Sequence, residues 1–250
     1  MIDRLNEIEK YNYYFQFTLN SYSKDFEQNV PNKTKEVINT FTELSERVGS
    51  KKVIWRYDPI ILNEKYTLEY HTKNFEKIAQ LLDGKFNRCV ISFVDYYKKN
   101  ASNFRENNIS ELTNENIIKI AECFSQIAQK HKFNIYTCAE QIDLSMFEIK
   151  HGKCIDDKII EMLIGQSLKI KKDSNQREEC GCVESIDIGL YNTCMHGCKY
   201  CYANYSHKIV ETNFANYDKS SPILCSILTN EDKVTERKVE SIINTQLQLW

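Results

Sequence analysis

Glycine and proline are scarce in this chain of 250 residues, which contains 7 Gly and 3 Pro. That scarcity excludes collagen-like, linker-rich and disordered chains. An excess of charge of one sign is also missing, because 33 Lys and Arg residues stand against 35 Asp and Glu, for a net charge of −2. A polybasic coat for nucleic acid is therefore excluded, although a local basic groove remains open.

Long hydrophobic runs are lacking as well. No apolar run approaches the roughly 18 residues that a membrane span needs. Residues 1–11 are charged and contain no apolar core of the kind found in signal peptides. We therefore expect a cytoplasmic protein with no membrane partner. Its length fits one α/β barrel as well as two small domains.

The apolar pattern alternates between short runs and helical spacing. Five runs predict β-strands, at residues 13–19, 53–55, 89–94, 135–138 and 183–188. Stripes at helical spacing lie between them, and the last stripe, which is formed by Val239, Ile242, Ile243 and Leu247, predicts a terminal helix. The pattern is typical of repeated βαβ units, and we expect an α/β fold in the form of a partial, incomplete TIM-like (β/α) barrel. An open doubly wound sheet is the alternative.

A polar stretch at residues 169–179 precedes the part of the chain that is rich in cysteine. We expect residues 1–179 to form the partial barrel. Residues 180–250 would then hold the last strand, a cysteine-rich cluster loop and the terminal helical segment. Both parts are expected to belong to one compact domain.

Polar residues lie at the ends of the predicted strands. Arg56 and Asp58 follow the second strand, and Glu140 follows the fourth. Asp187 lies near the end of the fifth. Because both alternative architectures place their sites at the carboxyl ends of parallel strands, we interpret these four residues as candidate catalytic contacts to substrate or cofactor. The plainer alternative is that Arg56 and Asp58 only pair with each other to close a turn before Pro59.

Five of the ten cysteines lie between positions 180 and 201. A disulfide framework is not expected, because the cytosol keeps thiols reduced. Cys194, Cys198 and Cys201 have the spacing Cys-x3-Cys-x2-Cys, and Gly197 allows the backbone to wrap closely. Three thiolates on one tight loop can converge on a single inorganic centre. A [4Fe–4S] cluster normally has four cysteine ligands, so three ligands leave one iron open.

This spacing, with Tyr200 directly before the third cysteine, resembles the signature of the radical S-adenosylmethionine (SAM) superfamily. The resemblance implies that Cys194, Cys198 and Cys201 bind a [4Fe–4S] cluster whose open iron chelates S-adenosyl-L-methionine. One-electron reduction then cleaves SAM to a 5′-deoxyadenosyl radical. It further implies that Tyr200 lines the SAM adenine, that a donor such as ferredoxin or flavodoxin supplies the electron, and that the substrate is unknown.

The string Cys-Lys-Tyr-Cys-Tyr-Ala-Asn also resembles the cluster loop of spore photoproduct lyase and related DNA-repair enzymes. Over a longer span the chain is similar to an uncharacterised prokaryotic family, domain of unknown function 1848. The segments that carry this similarity are residues 53–60, 89–95, 137–140, 175–177 and 180–204. The family's cysteine cluster is noted to look like that of radical SAM proteins. One departure is that the loop follows the last strand here, whereas radical SAM barrels usually carry it after the first.

Two other functions remain open. The first of these functions is a non-catalytic module that holds zinc or a fully ligated iron–sulfur cluster. It remains open because Cys180 and Cys182 lie just upstream of the loop and four thiolates also form closed zinc sites. We interpret Cys180 and Cys182 as plain thiols, with a fourth ligand or a second cluster as alternatives. The second is a lesion-repair enzyme, since a basic run at residues 169–177 could contact phosphate. Nucleic acid is not the favoured partner, because the near-neutral overall charge adds no support.

The other cysteines and histidines have plainer interpretations. We interpret Cys89, Cys123 and Cys225 as small core residues and Cys154 as a thiol near the start of a helix. Cys138 is less certain because it lies beside Glu140 at a strand end. The histidines outside the loop are interpreted as surface residues, namely His71, His131, His151 and His207.

Overall fold

The computed structural model of the chain describes residues 2–95 and 101–245. The strands are β1 Phe15–Thr18, β2 Val53–Ile60, β3 Arg88–Phe93, β4 Asn134–Cys138 and β5 Lys150–Gly152. The helices are α1 Ile38–Val48, α2 Leu68–Leu81, α3 Ala101–Glu106, α4 Asn114–His131, α5 Asp157–Ile164 and α6 His207–Ala215. The strands pair in parallel in the order β1-β2-β3-β4-β5. The α/β expectation is confirmed, and this order lacks the reversal that defines a doubly wound sheet.

Local signals in the sequence set the ends of the long helices. The Thr113 hydroxyl accepts a hydrogen bond from the Asn116 N–H at 3.3 Å and so caps α4. Asp156 caps α5 in the same way through the Lys158 N–H, at 2.9 Å. Gly49 follows α1 with φ of 92°, a conformation that glycine adopts at little cost. These ends agree with the boundaries that the sequence predicts.

One face of the sheet is buried beneath α1, α2 and α4. Trp55 and Tyr57 of β2 are fully buried there. The rings of Phe75 and Phe124 stack with their centroids 3.8 Å apart, and they join α2 to α4 above the strands. This aromatic layer is the main core of the molecule.

His71 belongs to this buried region, so its interpretation as a surface residue is wrong. Its side chain is fully buried in α2. Nε2 donates to the Ile61 carbonyl and Nδ1 accepts from the Tyr57 hydroxyl, both at 2.8 Å. Burial lowers the pKa of His71 to about 4, and the imidazole is therefore neutral at pH 7.

The other face of the sheet is concave and is covered in part by α5. Ile54 and Val90 pack there against Ile159 of α5. The two ends of the sheet also meet on this side. The Cys154 carbonyl, just after β5, accepts a hydrogen bond from the Tyr14 hydroxyl at 2.6 Å, at the start of β1. Side-chain bonds therefore join the first and last strands.

The predicted fifth strand at residues 183–188 is wrong. Only Val183 pairs there, in a single antiparallel bridge with Lys172, while Ile186 and Ile188 are exposed. The last strand is β5, whose Gly152 lies so close to β4 that a Cβ atom would be 2.8 Å from the Thr137 carbonyl oxygen. Glycine is needed at this position because any other side chain would collide with that backbone.

The predicted terminal helix is wrong as well. Residues 239–245 contain no helix, and Ile243 forms a bridge with Leu168 instead. Leu247 lies outside the described residues. The last described helix is α6, which begins where the Ser206 hydroxyl accepts from the Ile209 N–H at 3.4 Å. No helix in the described ranges is long and apolar enough to cross a membrane.

Candidate functional site at the carboxyl ends of the strands

Arg56 and Asp58 form a buried ion pair on the concave face of β2. Arg56 Nε lies 2.9 Å from Asp58 Oδ2, and the two side chains are 12% and 19% exposed. The pair is not isolated, because Arg56 Nη1 also donates to Gln16 Oε1 at 2.5 Å and the Ser92 hydroxyl donates to Asp58. Side chains from β1, β2 and β3 therefore meet at this edge. Arg56 and Asp58 do not pair only with each other, as a simple turn before Pro59 would require.

Glu140 lies two residues after β4. Its Oε1 accepts a hydrogen bond from the Phe93 N–H at 2.8 Å, at the end of β3. Burial raises the pKa of Glu140 to about 7. A carboxyl group that titrates near neutral pH can hold or release a proton, which suits general acid–base chemistry. Its neighbour Asp95 pairs with Arg177 at 2.6 Å.

Asp187 lies apart from this arrangement. Its side chain is exposed, and its carboxylate accepts a hydrogen bond from the Gly189 N–H at 2.7 Å, within its own loop. It was expected at the site because of a fifth strand at residues 183–188 that the structure does not contain. The structure therefore places Arg56, Asp58 and Glu140 at strand ends and Asp187 on an exposed loop.

Asn192 closes the loop that carries the three spaced cysteines. Its N–H donates to the Ala203 carbonyl at 2.9 Å, and its Oδ1 accepts from the backbone N–H groups of Tyr205 and Ser206. The side chain is buried, and φ is 57°. Asparagine tolerates this left-handed conformation better than most residues. One side chain thus holds both ends of the loop, residues 192–206, which we call the cysteine loop.

Cys194 is exposed in the cysteine loop, whereas Cys198 and Cys201 are half-buried. A hydrogen bond with His196 lowers the pKa of Cys194, and burial raises the pKa of Cys198 to about 12. Among the described residues, no three Cys, His, Asp or Glu side chains are already spaced to hold a metal ion. The donor set nevertheless fits an iron–sulfur cluster chemically, because three soft thiolates share one short closed loop.

The cysteine loop packs against the segment that follows β1. The Lys199 N–H donates to the Phe26 carbonyl at 2.9 Å, and Cys198 forms an antiparallel bridge with Glu27. The Tyr200 hydroxyl donates to the buried Glu27 carboxylate. The Tyr200 ring lies 5.5 Å from the ring of Tyr22, between centroids. Tyr200 therefore anchors the loop.

Asn20 connects the cysteine loop to the end of β2. Its Oδ1 accepts from the Asp58 N–H at 2.7 Å, and its Nδ2 donates to the Asp58 carbonyl at 2.8 Å and to the Tyr200 hydroxyl at 3.1 Å. Asn20 is only 1% exposed. Tyr202 lies near this point as well. Burial raises the pKa of Tyr202, and the charges of Asp58 and Arg56 also act on it. The cysteine loop thus lies at the same edge as the ion pair.

A cavity of about 530 Å³ separates the cysteine loop from β1 and α1. Cys198, Tyr200 and Gln16 contribute to its wall, together with Glu27 and Lys33, which form an ion pair there. Burial lowers the pKa of Lys33. The volume lies within the range of pockets that bind small molecules and cofactors.

A second group of thiols lies beside Arg56, and the sequence did not predict it. Cys138 Sγ is 3.2 Å from Cys154 Sγ, and Arg56 Nη1 donates to Cys154 Sγ at 3.0 Å. The Cys182 thiol contacts those of Cys154 and Cys180. Hydrogen bonding by Cys154 lowers the pKa of Cys182 and that of Cys138. The pKa of Cys154 is raised in turn by those bonds.

Comparison with known proteins identifies a family. The family model described as domain of unknown function DUF1848 matches residues 1–203, a span that includes all three cysteines of the loop. No curated protein and no solved structure matches the chain. The match adds no activity, and the chemistry must be argued from the site.

Proposed function

This chain belongs to the DUF1848 family, a domain of unknown function, and we propose that it is an iron–sulfur enzyme of the radical SAM type. Cys194, Cys198 and Cys201 would hold a [4Fe–4S] cluster. S-adenosyl-L-methionine would be the second cofactor, and a donor such as ferredoxin or flavodoxin would supply the electron. We leave the substrate unassigned.

One observation carries this proposal. The cysteine loop lies at the edge where parallel α/β folds place their sites, and it shares that edge with Arg56 and Asp58. Asn20 makes this connection, and the cavity of about 530 Å³ adjoins Cys198 directly. A cofactor in this cavity would lie between the loop and the carboxyl ends of the strands.

The chain's own residues would bind and orient the reactants. When bound, the cluster supplies the electron that cleaves SAM reductively, and the protein provides orientation and water exclusion. Tyr200 would present its ring to the adenine from the cavity wall while its hydroxyl holds the loop on Glu27. Arg56 and Asp58 would orient charged groups of a ligand.

Glu140 would hold or move a proton at its carboxylate. Its raised pKa, of about 7, allows either protonation state near neutral pH. Asp187 was a fourth candidate, and we give it no role because its carboxylate bonds within an exposed loop.

Contact with nucleic acid receives no support from the basic run at residues 169–177. Arg177 pairs with Asp95 at 2.6 Å, and Lys172 Nζ donates to the Glu178 carbonyl at 2.5 Å. Two charges of the run are thus engaged within the protein. We therefore do not propose a lesion-repair activity.

Anaerobic reconstitution tests the proposed function. The full chain is incubated with iron and sulfide under reducing conditions, and electron paramagnetic resonance spectra are recorded before and after addition of SAM. We expect a [4Fe–4S]⁺ signal that shifts with SAM, together with formation of 5′-deoxyadenosine. Cys198→Ser should not assemble the cluster. Cys225→Ser, which changes a half-buried thiol outside the loop, should assemble it normally.

Two results would contradict the proposal. A cluster signal that SAM leaves unchanged would indicate a fully ligated electron carrier. Zinc that is lost when the loop cysteines are replaced, with no uptake of iron, would indicate a structural zinc module. Either result would favour the non-catalytic alternative.

A further inference from the structure

Four cysteines outside the cysteine loop converge at the carboxyl ends of β4 and β5. Cys138 ends β4, Cys154 follows β5, and Cys180 and Cys182 belong to a segment that returns across the sheet. We call these four residues the inner thiol group. Three separate segments of the chain thus bring four thiols to one place, beside Arg56 and not on the cysteine loop.

We propose that the inner thiol group is a second metal site, in which Cys138, Cys154, Cys180 and Cys182 bind a single zinc ion. Zinc in structural sites is commonly held by four thiolates in a tetrahedron. The proposal is independent of the iron–sulfur cluster, because it uses none of the residues of the cysteine loop.

The spacing of the sulfur atoms favours one ion over a cluster. In a tetrahedral site with Zn–S bonds of about 2.3 Å, neighbouring sulfurs lie about 3.8 Å apart. Cys138 Sγ and Cys154 Sγ are 3.2 Å apart, and Cys182 Sγ accepts a hydrogen bond from the Cys154 N–H at 3.2 Å. A [4Fe–4S] cluster would need much wider separations, because each cysteine binds a different iron. The Cys138–Cys154 pair would need to open by about 0.6 Å to reach that spacing, and the other two thiols would have to move as well, because no three of the described side chains are spaced to hold an ion as they stand.

Two backbone N–H groups near Cys182 are positioned to stabilise its thiol in the charged form. The N–H groups of Cys154 and Ile155 point at Cys182 Sγ, at 3.2 and 3.4 Å. Hydrogen bonds from backbone N–H groups favour the charged form of a thiol, and a metal ligand must be in that form. These two bonds are an observation separate from the clustering of the sulfurs.

Arg56 supplies a positive charge at the same place. A zinc ion with four thiolates carries a net charge of −2, which is costly to bury unless it is compensated. Arg56 Nη1 donates to Cys154 Sγ at 3.0 Å, and the Arg56 side chain is only 12% exposed. An outer partner of this kind orients a ligand and tunes the metal site.

The zinc ion would fix the segment that precedes the cysteine loop. That segment is held here by few backbone bonds, including Val183 N–H to the Ile155 carbonyl at 3.2 Å and Asp173 N–H to the Cys182 carbonyl at 2.9 Å. Four metal–sulfur bonds would tie it to β4 and β5. The carboxyl edge would then have a structural metal on one side and the cysteine loop on the other.

Zinc content tests this proposal apart from the proposed function. We would use the full chain with Cys194→Ser, Cys198→Ser and Cys201→Ser, purified under reductant and supplied with zinc, and measure metal by mass spectrometry. We expect about one zinc ion per chain. Adding Cys154→Ser should remove most of it. Adding Cys123→Ser, at a half-buried thiol in α4, should leave it unchanged.

Alkylation of the unmutated chain covers the case in which Cys154→Ser fails to fold. With zinc present, peptide mapping should show the inner thiol group protected from iodoacetamide, and a chelator should expose it while labelling of Cys225 stays the same. Four results would each overturn the proposal. The first two are absence of zinc from the loop-substituted chain and persistence of zinc in the folded Cys154→Ser variant. The others are binding of iron instead of zinc and formation of a Cys138–Cys154 disulfide.

Discussion

His71 shows how the fold fixes the charge of a single side chain. Its two ring nitrogens are satisfied by the Ile61 carbonyl and the Tyr57 hydroxyl, and Nδ1 can no longer accept from that hydroxyl when the ring gains a second proton, although Nε2 keeps its bond to the carbonyl. The pKa of His71 falls to about 4 because the charged form is desolvated. Protonation of this residue must therefore oppose folding.

We predict a pH dependence of stability from this residue. Between pH 6.5 and about 4 the unfolded chain binds a proton at His71 that the folded chain does not, so the free energy of unfolding rises with pH through this window. The contribution is complete above pH 6.5, is lost as the pH falls through about 4, and amounts to about 3 kcal/mol. Urea denaturation at several pH values should show a shallower slope in His71→Gln. The exposed His207→Gln variant should keep the slope of the unmodified chain.

An unchanged slope in His71→Gln would contradict this interpretation of the buried imidazole. Helical spacing does put His71 on the apolar side of α2, four residues before Phe75 and seven before Ile78, but the sequence does not identify the partners of the ring nitrogens. Its neighbours come from the end of β2, and only the packing brings them together.

Candidate site residues could be predicted where local chemistry coincided with a strand end. Arg56, Asp58 and Glu140 were found in this way, and the structure does place them at the carboxyl edge. The same reasoning gave the wrong position for Asp187, because the apolar alternation around it does not form a strand. The contact between Cys138 and Cys154 joins residues on two different strand ends, and no spacing rule in the sequence reveals it.

At the scale of elements, Asn192 decides whether the cysteine loop stays closed. We predict that Asn192→Ala destabilises the loop by about 1–3 kcal/mol, because the N–H groups of Tyr205 and Ser206 lose the two hydrogen bonds that the buried Asn192 side chain accepts. Rates of alkylation of Cys198 and Cys201, measured by mass spectrometry, should rise. Asn192→Gly separates two causes, since glycine accepts φ of 57° but provides no acceptor.

The glycine variant should react as fast as the alanine variant if the hydrogen bonds matter most. If it behaves like the unmodified chain, backbone conformation and not the side-chain bonds holds the loop. Reaction at Cys123, far along the chain in α4, should be the same in all three proteins.

Elements with a buried, periodic face could be predicted, and those fixed by distant contacts could not. Helices α1, α2, α4 and α5 and strands β1 to β4 follow from apolar spacing and caps. Strand β5, Lys150–Gly152, has no apolar pattern, and it exists because Gly152 lets the chain approach β4 closely. Residues 183–188 have the pattern of a strand but find no neighbouring strand to pair with.

For the whole molecule, the meeting of the two ends of the sheet is the feature that the sequence could not predict. Tyr14 and Cys154 are 140 residues apart, and their bond depends on the curvature of all five strands. The Tyr14 hydroxyl donates to the Cys154 carbonyl at 2.6 Å and accepts from the Asp156 N–H at 3.1 Å. Gln16 adds a second bond to the same carbonyl, at 2.7 Å.

We predict that Tyr14→Phe lowers the free energy of unfolding by about 1–3 kcal/mol, because the Asp156 N–H loses its partner and the carbonyl keeps only Gln16. Urea denaturation followed by circular dichroism measures this. The exposed Tyr11→Phe serves as the matched control and should change stability by less than about 0.5 kcal/mol. Equal stability of the two variants would show that the ends of the sheet are held by other contacts.

The position of Asn20, which bonds both Asp58 and Tyr200, has a thermodynamic consequence. Linkage is reciprocal, so a ligand at the ion pair that stabilised the docked loop would itself be bound more tightly when the loop is docked, and by the same free energy. Occupation of one half of the carboxyl edge would then affect the other half through this buried amide. Asn20→Leu should uncouple the two halves even where each still binds its own ligand.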